Sequence, residues 1–256
     1  MMMNDLDQRR NIKLTIAYKG TRYAGWQIQK NAPTVEAEIK AAIRKITGED
    51  TTVYGAGRTD AGVHALGQTA NFFTTSSIPA ERVALALNAN LPADIRIVKS
   101  EAVPASFHSR FCAIGKIYSY RIDTGAVYNP LFAELAWHLP YPMDIDRMRG
   151  ASRCLIGTHD FRCFMASGSS VKDTVRTIEA IDIKKENHFV ILTFRGNGFL
   201  YNMVRIIVGT LSEIGMEMRE GDDMPLILAS RNRLKAGKTA PAKGLVMEKV
   251  IYTSTD

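Results

Sequence analysis

The sequence "VYGAGRTDAGVHALGQTANFF", residues 53–73, places a glycine-rich polar loop between two apolar stretches. The loop region holds four glycines but only one arginine, one aspartate and one histidine. The flanking residues, 51–55 and 66–73, are rich in β-branched and aromatic side chains, which favours strands. The stretch therefore predicts two strands joined by a loop that carries a single carboxylate, Asp60.

The chain around this loop shows an ordered series of strands and helices. Residues 12–18 alternate apolar side chains with a period of two, which is typical of a half-buried strand. A helix is predicted after Pro33, with Thr34 as its N-cap and Gly48 at its end. A second helix and a further strand are predicted over residues 79–91 and 94–103. The order strand, helix, strand, strand, helix, strand is the ferredoxin-like split pattern.

The second half of the chain has a similar mixture of elements. Strands are predicted over residues 115–123, 174–186, 188–196 and 246–252, and helices over 145–157, 199–215 and 224–236. We therefore expect an α+β fold, and a second ferredoxin-like, or RRM-like, half is a hypothesis, because no residue-level repeat is evident. The predicted domains are residues 1–108, which carry the Asp60 loop, and 109–256.

The composition limits the classes of protein to consider. The chain has 256 residues, of which 46% are hydrophobic, and a formal net charge of +7. A dispersed positive charge suits a polyanionic partner but does not by itself identify nucleic acid. The three cysteines lack C-x-x-C spacing, and residues 1–10 lack an apolar run. We therefore expect a cytoplasmic protein without a disulfide framework, a zinc site, a signal peptide or a membrane span.

Two interpretations of the Asp60 loop are open from the residues alone. Asp and Gly are favoured in turns, so residues 59–62 could form a simple type I turn. Alternatively, the loop holds Asp60 in one pose, because glycines permit close approach of other groups. Beside Arg58 the carboxylate would stay ionised and could act as a nucleophile. The glycine spacing fits neither a dinucleotide-binding motif nor a phosphate-binding loop.

Several stretches of the chain resemble, in order, the motifs of one enzyme family. The loop sequence "GAGRTDAGVHALGQ" resembles the catalytic motif of the TruA family of tRNA pseudouridine synthases. Five further stretches are similar to other motifs of that family: "IAYKGTRYAGWQIQ", "FHSRFCAIGKIYSYRI", "GTHDFRCF", "GNGFLYNMVRIIVGTL" and "APAKGLVMEKV". Lys19 departs from the aspartate that is usual in the first of these five. The matched stretches extend over nearly the whole chain.

The resemblance implies an isomerase with a pseudouridine synthase fold, in which two ferredoxin-like, or RRM-like, halves each have an antiparallel sheet and outer helices. Such an enzyme converts uridine to pseudouridine in the anticodon stem-loop of tRNA, typically at positions 38, 39 and 40. Asp60 aligns with the nucleophile, which would attack uracil C6 or ribose C1′ of a flipped-out uridine. The bonds broken and formed nearly balance, so no ATP, metal or redox cofactor is expected. The family also implies a homodimer.

Four substrate-binding residues follow from the same resemblance. Tyr118 would stack on the uracil, although an aromatic residue in this strand could equally pack in the core. Arg205 lies in an apolar stretch, so it must meet a carboxylate, which the resemblance names as Asp60, or reach water. Arg58 would take the place of the flipped uridine. Leu245 would contact the other side of the base, or serve as a core leucine.

Other basic residues are candidates for phosphate contacts or for an ordinary solvated surface. These candidates are Lys19, Arg22, Lys30, Arg231, Arg233, Lys235, Lys238 and Lys243. Three other functions are open: an RNA-binding protein without catalysis, a uridine isomerase with another RNA target, and a hydrolase that uses Asp60. The presence of Asp60, Tyr118 and Arg205 together disfavours the first, and the lack of a second acid disfavours the last.

Overall fold

The computed structural model describes residues 9–168 and 171–253, so most of the N-terminal stretch examined for a signal peptide lies outside the described residues. The chain divides into two compact units. The first unit comprises Met1–Ile114 and Met247–Asp256, and the second comprises Gly115–Val246. The chain therefore leaves the first unit and returns to it at its end. The domain boundary at residue 108 stays a prediction.

Strands and helices are interspersed along both units. Up to residue 114 they are β1 (Arg10–Tyr18), α1 (Val35–Thr47), β2 (Tyr54–Gly55), β3 (His64–Thr74), α2 (Ala80–Asn88) and β4 (Ile95–Val103). They continue with β5 (Gly115–Asp123), β6 (Trp137–His138), α3 (Ile145–Ser152), β7 (Gly157–Asp160), β8 (Val175–Glu186), β9 (Phe189–Gly196), α4 (Met203–Gly215), α5 (Asp223–Ser230) and β10 (Leu245–Ile251).

The sheet of the first unit has the strand order β4-β1-β3-β10. β1 pairs antiparallel with both β3 and β4, and β2 adds a short antiparallel pairing to β3. Ile12, Leu14 and Ile16 on β1 have no exposed surface, so the predicted alternation is the core face of this sheet. The predicted order of strands and helices in this half is confirmed.

The first helix, α1, starts and ends where the sequence predicts. Gly48 ends it in the left-handed region at φ 77°, and its N–H donates to the Arg44 carbonyl. Thr34 has the extended backbone of an N-cap residue, but its side chain makes no capping hydrogen bond. Its hydroxyl is instead buried and lacks a partner among the described residues. Thr34 is therefore the N-cap residue, as predicted, but it caps α1 without a side-chain hydrogen bond.

The sheet of the second unit has the order β5-β9-β8-β7, with antiparallel pairing throughout this path. The two-residue strand β6 pairs parallel with β5. The helix α4 is apolar on nearly all sides, and most of its residues are buried. The α+β class with antiparallel sheets is therefore confirmed.

Several element boundaries differ from those predicted from sequence. The helix predicted over residues 199–215 begins only at Met203, because Asn202 adopts a left-handed φ of 59°. The helix predicted over 224–236 ends at Ser230, because Arg231 has φ 51°. The strand predicted over 51–55 is shorter because Thr51 reaches β3 through its side chain, which donates to the Phe73 carbonyl.

Asp144 is the N-cap residue of α3, and its carboxylate accepts a hydrogen bond from the backbone N–H of Arg147 at 3.0 Å. The helix α3 then ends at Ser152, earlier than predicted, and continues as the 3₁₀ turn Arg153–Leu155. Across the parts of the chain that are described, helices long and apolar enough for a membrane span are absent.

Candidate active site

The loop that carries Asp60 lies between β2 and β3. The backbone N–H of Val63 donates to the carbonyl of Asp60 at 3.1 Å, which closes a four-residue turn. Gly62 occupies the third position of that turn with φ 78°, as a type II turn requires, and the closed turn spans residues 60–63 and not 59–62. Asp60 is half-buried and Arg58 is exposed. The Asp60 carboxylate thus lies in a turn whose backbone conformation requires glycine at position 62.

Buried hydrogen bonds fix the residues on the N-terminal side of Asp60. The hydroxyls of Tyr18 and Thr59 are 2.7 Å apart in a buried pair. The backbone N–H of Trp26 donates to the Thr59 carbonyl at 3.1 Å. The side-chain amide of Gln68 donates to the Gly57 carbonyl at 2.8 Å. The residues that precede Asp60 are therefore held from three directions.

Tyr18 lies in the core, where burial raises the pKa of its hydroxyl well above the usual value. Hydrogen bonds from Thr59 and Gln68 act in the opposite direction and are the smaller effects. The hydroxyl therefore stays neutral and serves as a structural hydrogen-bonding group. Sequence reasoning did not single out Tyr18, although it lies in "YKGTRYAGWQ", which the family resemblance covered.

The rest of that N-terminal stretch packs directly behind the Asp60 loop. Gly25 has φ 101°, and a Cβ atom there would meet the Thr59 carbonyl oxygen at 2.5 Å. A Cβ atom at Gly20 would collide with the carbonyl of Val63. The N–H of Gly20 donates to Nδ1 of His64 at 2.9 Å. Glycines on the supporting stretch thus let two backbones approach closely on both sides of Asp60.

Arg22, a candidate for phosphate contacts, takes part in an ion pair within the protein. Its Nε lies 3.0 Å from the Asp94 carboxylate, which also accepts a hydrogen bond from the Tyr23 hydroxyl at 2.7 Å. Burial and this hydrogen bond raise the pKa of Tyr23 to about 12. Arg22 keeps a largely exposed side chain, so it still adds positive charge to the surface.

Replacing Tyr18 with Phe is expected to lower the free energy of unfolding by about 1–3 kcal/mol, because the buried Thr59 hydroxyl loses its partner. Urea denaturation measures this change, and Tyr201→Phe is the control because Tyr201 is exposed. We also expect kcat to fall, since Thr59 adjoins Asp60. Equal stability of the two variants would contradict a supporting role for the Tyr18 hydroxyl.

In the second unit, the two tyrosines of β5, Tyr118 and Tyr120, have different surroundings. The Tyr120 ring is fully buried, and its hydroxyl donates to the Pro241 carbonyl at 2.7 Å. Burial raises the pKa of that hydroxyl, so it stays protonated. Tyr118 is 8% exposed and packs edge-on against Phe199, with ring centroids 5.3 Å apart. Tyr120 therefore has a structural role, which leaves Tyr118 as the candidate for substrate contact.

Arg205 lies in the first turn of α4 and is half-buried. Its Nε donates to the Ala240 carbonyl at 2.7 Å, and one terminal nitrogen donates to the Asn202 side chain at 2.5 Å. In return, the N–H of Ala240 donates to the Arg205 carbonyl at 3.0 Å. The guanidinium therefore joins the start of α4 to the segment before β10.

Substituting Arg205 with Ala is expected to cost about 1–3 kcal/mol of unfolding free energy, because the fully buried Ala240 would lose a donor to its carbonyl. Arg195→Ala is the matched control, since Arg195 forms an exposed ion pair with Glu179 and should cost under about 1 kcal/mol. Chemical denaturation of both variants tests the difference. An equal loss of unfolding free energy in the two variants would mean that the Arg205 side chain extends to water and does not stabilise the Ala240 segment.

The last sequence-predicted site residue, Leu245, is 6% exposed at the start of β10. It follows the 3₁₀ turn Ala242–Gly244. A Cβ atom at Gly244 would lie 2.6 Å from the Tyr120 ring, so this turn packs tightly on β5. The turn that precedes Leu245 thus packs on the buried ring of Tyr120.

The basic segment 231–243 is held mainly by contacts within the second unit. Arg233 donates to the Gly237 carbonyl and to the Thr239 hydroxyl, and Lys243 donates to the Ala133 carbonyl. The Arg231 side chain lies 3.4 Å from the Asp160 carboxylate. Lys235 is exposed. Lys238 is also exposed and lies over the Trp137 ring at 4.9 Å. Most of these cations therefore have structural partners.

The structure places the predicted site residues in both units. Asp60 and Arg58 belong to the first unit, and Tyr118, Arg205 and Leu245 belong to the second. Their assembly into one site stays a prediction. Over residues 9–168 and 171–253, groups of three or more His, Cys, Asp or Glu side chains suited to a metal are absent.

Comparison with known proteins identifies the family. The family model for tRNA pseudouridine synthase matches residues 14–112 and 151–253. A tRNA pseudouridine synthase A of Thermoanaerobacter sp. (strain X514) is 49% identical over 243 residues, which cover 95% of this chain and 100% of that protein. A tRNA pseudouridine synthase A 2 of Clostridium tetani (strain Massachusetts / E88) is 49% identical over 245 residues, with 95% and 99% coverage.

Among solved structures, a chain of a Cbf5-Nop10-Gar1 complex is similar at 13% sequence identity with a TM-score of 0.38, over 92% of this chain and 57% of that chain. The family match and the near full-length relatives show that the chain belongs to the tRNA pseudouridine synthase family. It is an isomerase that converts uridine to pseudouridine in tRNA. The resemblance seen in the sequence, the enzyme class and the tRNA substrate are thereby confirmed.

Proposed function

We propose that this enzyme modifies uridines 38, 39 and 40 in the anticodon stem-loop of tRNA, with Asp60 as the nucleophile. The observation that carries the proposal is the rigid Asp60 loop within "GRTDAGVHALGQ". Thr59 and Gly57 are fixed by buried groups, and Asp60 is half-buried next to the exposed Arg58. A carboxylate held in this way is suited to nucleophilic attack on a substrate that is brought to it.

The reaction needs only rearranged bonds within one nucleoside. Asp60 attacks either ribose C1′ or uracil C6, and the bond between C1′ and N1 breaks. The uracil then turns so that C5 bonds to C1′, and the bond between Asp60 and the nucleoside breaks, which frees the carboxylate. The proton on C5 leaves, and N1 gains a proton. Because every carbon, nitrogen and oxygen atom of the uracil is retained, the chain's own side chains suffice to bind the base and move the protons.

A uridine in a stacked stem must leave the helix before a protein carboxylate can reach it. Extrusion costs a few kcal/mol, and it costs least where pairing is weak or where a loop begins. Uridines at the junction of the anticodon stem and loop satisfy this condition. Arg58 is exposed beside Asp60 and carries a side chain long enough to occupy the vacated position.

The family resemblance supports substrate-binding roles for three residues of the second unit. Tyr118 is assigned to stack on the uracil, and Arg205 and Leu245 are assigned to its surroundings. Tyr118 has little exposed surface, and Arg205 is held by hydrogen bonds. Both observations support the view that these side chains are in place before the substrate binds. The resemblance also supports a homodimer in the cytoplasm.

Mapping of pseudouridine in tRNA tests the proposed target. Total tRNA from cells with and without the gene is compared at single-nucleotide resolution. We expect the modification at positions 38, 39 and 40 to disappear in the deleted strain and to return when the gene is restored. Loss at another set of tRNA positions would overturn the proposed target while leaving the isomerase class intact.

A further inference from the structure

The first unit carries a row of aromatic rings that the reaction does not use. Tyr54, His108 and Phe111 stand in line, with ring centroids 4.9 Å apart for the first pair and 4.4 Å apart for the second. Phe111 ends the row and is 77% exposed, while Tyr54 is 36% exposed. The Arg110 guanidinium lies 5.9 Å from the Phe111 ring centroid. The row therefore ends in a largely exposed ring that has a guanidinium over it.

The backbone beneath this row is firmly held. The Asn71 side-chain oxygen accepts hydrogen bonds from the N–H and the hydroxyl of Ser109, at 2.9 and 2.8 Å. Asn71 in turn donates to Asn11, and Asn11 donates to the Phe107 carbonyl. The Tyr252 hydroxyl donates to the Ser109 carbonyl at 2.8 Å. Asn11, Asn71 and Ser109 are all buried, so this network fixes the turn that displays Phe111.

The turn is also closed on itself. The N–H of Cys112 donates to the His108 carbonyl at 2.9 Å, and the N–H of Arg110 donates to Nδ1 of His108 at 3.1 Å. Tyr54 opposes Asn71 in the pairing of β2 with β3, and cross-strand partners share a face of the sheet. The aromatic row therefore stands on the same face as the polar network.

A single exposed apolar side chain needs no explanation, but a contiguous exposed row does. Here the Phe111 ring is exposed to water on an ordered turn. The buried hydrogen bonds of Asn71 and Ser109 hold the backbone of that turn without any contact from the ring. Phe111 and Arg110 together suit a nucleotide. Bases stack on aromatic rings, and phosphates pair with arginine. The net charge of +7 favours the same polyanionic occupant.

We propose that Phe111 stacks on an unpaired nucleobase of the tRNA substrate, with Arg110 at the adjoining phosphate and His108 and Tyr54 supporting the ring. The proposal rests on the tRNA substrate of the family and not on the role of Asp60. It assigns a second base contact, distinct from the uridine that reacts. Its chemistry is sequence-tolerant, because every base offers a π face.

Three substitutions of Phe111 separate stacking from mere apolar contact. Dissociation constants are measured with tRNA purified from cells that lack the gene. Phe111→Ala and Phe111→Leu are expected to weaken binding about 5- to 150-fold, the range given by the loss of one stacked base. Phe111→Tyr should bind within about 3-fold of the parent, because it keeps the ring. Leu85→Ala is the matched control, since Leu85 is 72% exposed on α2.

The same variants are compared in steady-state kinetics, with KM expected to rise and kcat to stay nearly constant. Unchanged binding of Phe111→Ala would overturn the proposal, as would full binding by Phe111→Leu. A change in oligomeric state on light scattering, in parallel with weaker binding, would also overturn it by assigning the ring to a protein interface.

Fluorescence supplies a readout that does not depend on truncating the ring. In Phe111→Trp, tRNA should quench the added indole, and a matched Leu85→Trp variant should not respond. Equal responses from the two variants would contradict stacking at Phe111. These tests are independent of the proposed nucleophilic role of Asp60. Asp60 variants are expected to lose turnover and keep their affinity for tRNA, whereas Phe111 variants are expected to lose affinity and keep kcat.

Discussion

Asp60→Ala is expected to abolish pseudouridine formation, with kcat reduced by at least about 10⁴-fold, because the variant has no nucleophile to open the glycosidic bond. The affinity for tRNA should change by less than about 3-fold, since phosphate contacts supply most of the binding free energy. Release of the C5 proton from tRNA labelled at uridine C5 measures turnover, and filter binding measures affinity.

Asp60→Asn is the control that separates chemistry from structure. It keeps the size of the half-buried side chain but removes the charge and replaces one acceptor oxygen with an NH2 donor, so its stability should be close to that of the parent. Its activity should nevertheless be as low as that of Asp60→Ala. Substantial turnover by either variant would rule out the nucleophilic role, and a large loss of tRNA affinity in both would assign Asp60 to binding instead.

Gly25→Ala is expected to destabilise the protein by at least about 3 kcal/mol, because a left-handed backbone and a steric collision act together. The new Cβ atom would meet the Thr59 carbonyl oxygen at 2.5 Å, at φ 101°. Gly48→Ala separates the two effects, since Gly48 has φ 77° but nothing within 4 Å of the added atom. That variant should cost only about 1–2 kcal/mol.

Urea unfolding of the two glycine variants gives the comparison directly. The folded fraction of Gly25→Ala should also show a kcat at least about 10-fold lower, because displacing Thr59 moves the adjoining Asp60 by a distance that catalysis does not tolerate. Gly48→Ala should keep its kcat. Equal destabilisation of the two variants would mean that the backbone conformation, and not the contact with Thr59, makes glycine necessary at position 25.

Local patterns predicted most of the fold. Two examples are the alternating burial of β1 and the left-handed Gly48 at the end of α1. Each depends on a few consecutive residues, and the structure confirms both predictions. The boundaries that were missed depend on single backbone conformations. Asn202 and Arg231 adopt positive φ values, which sequence patterns do not reveal for residues other than glycine.

The site was only partly predictable for a related reason. The Asp60 loop is a continuous motif, so its residues could be recognised in sequence. Its support is not continuous, since Tyr18 and Trp26 are distant from Thr59 along the chain and meet it only in the folded unit. The same holds for Arg22, whose partner Asp94 could not be identified from charge patterns.

The position of β10 beside β3 has a consequence for how the protein is made. All of Gly115–Val246 must be translated before Met247, so the sheet around the Asp60 loop waits on the order of ten seconds for its last strand. During that interval one edge of β3 is open to other nascent chains. A premature stop codon just before Met247 would therefore leave that sheet unfinished, even though every residue of the loop had been synthesised.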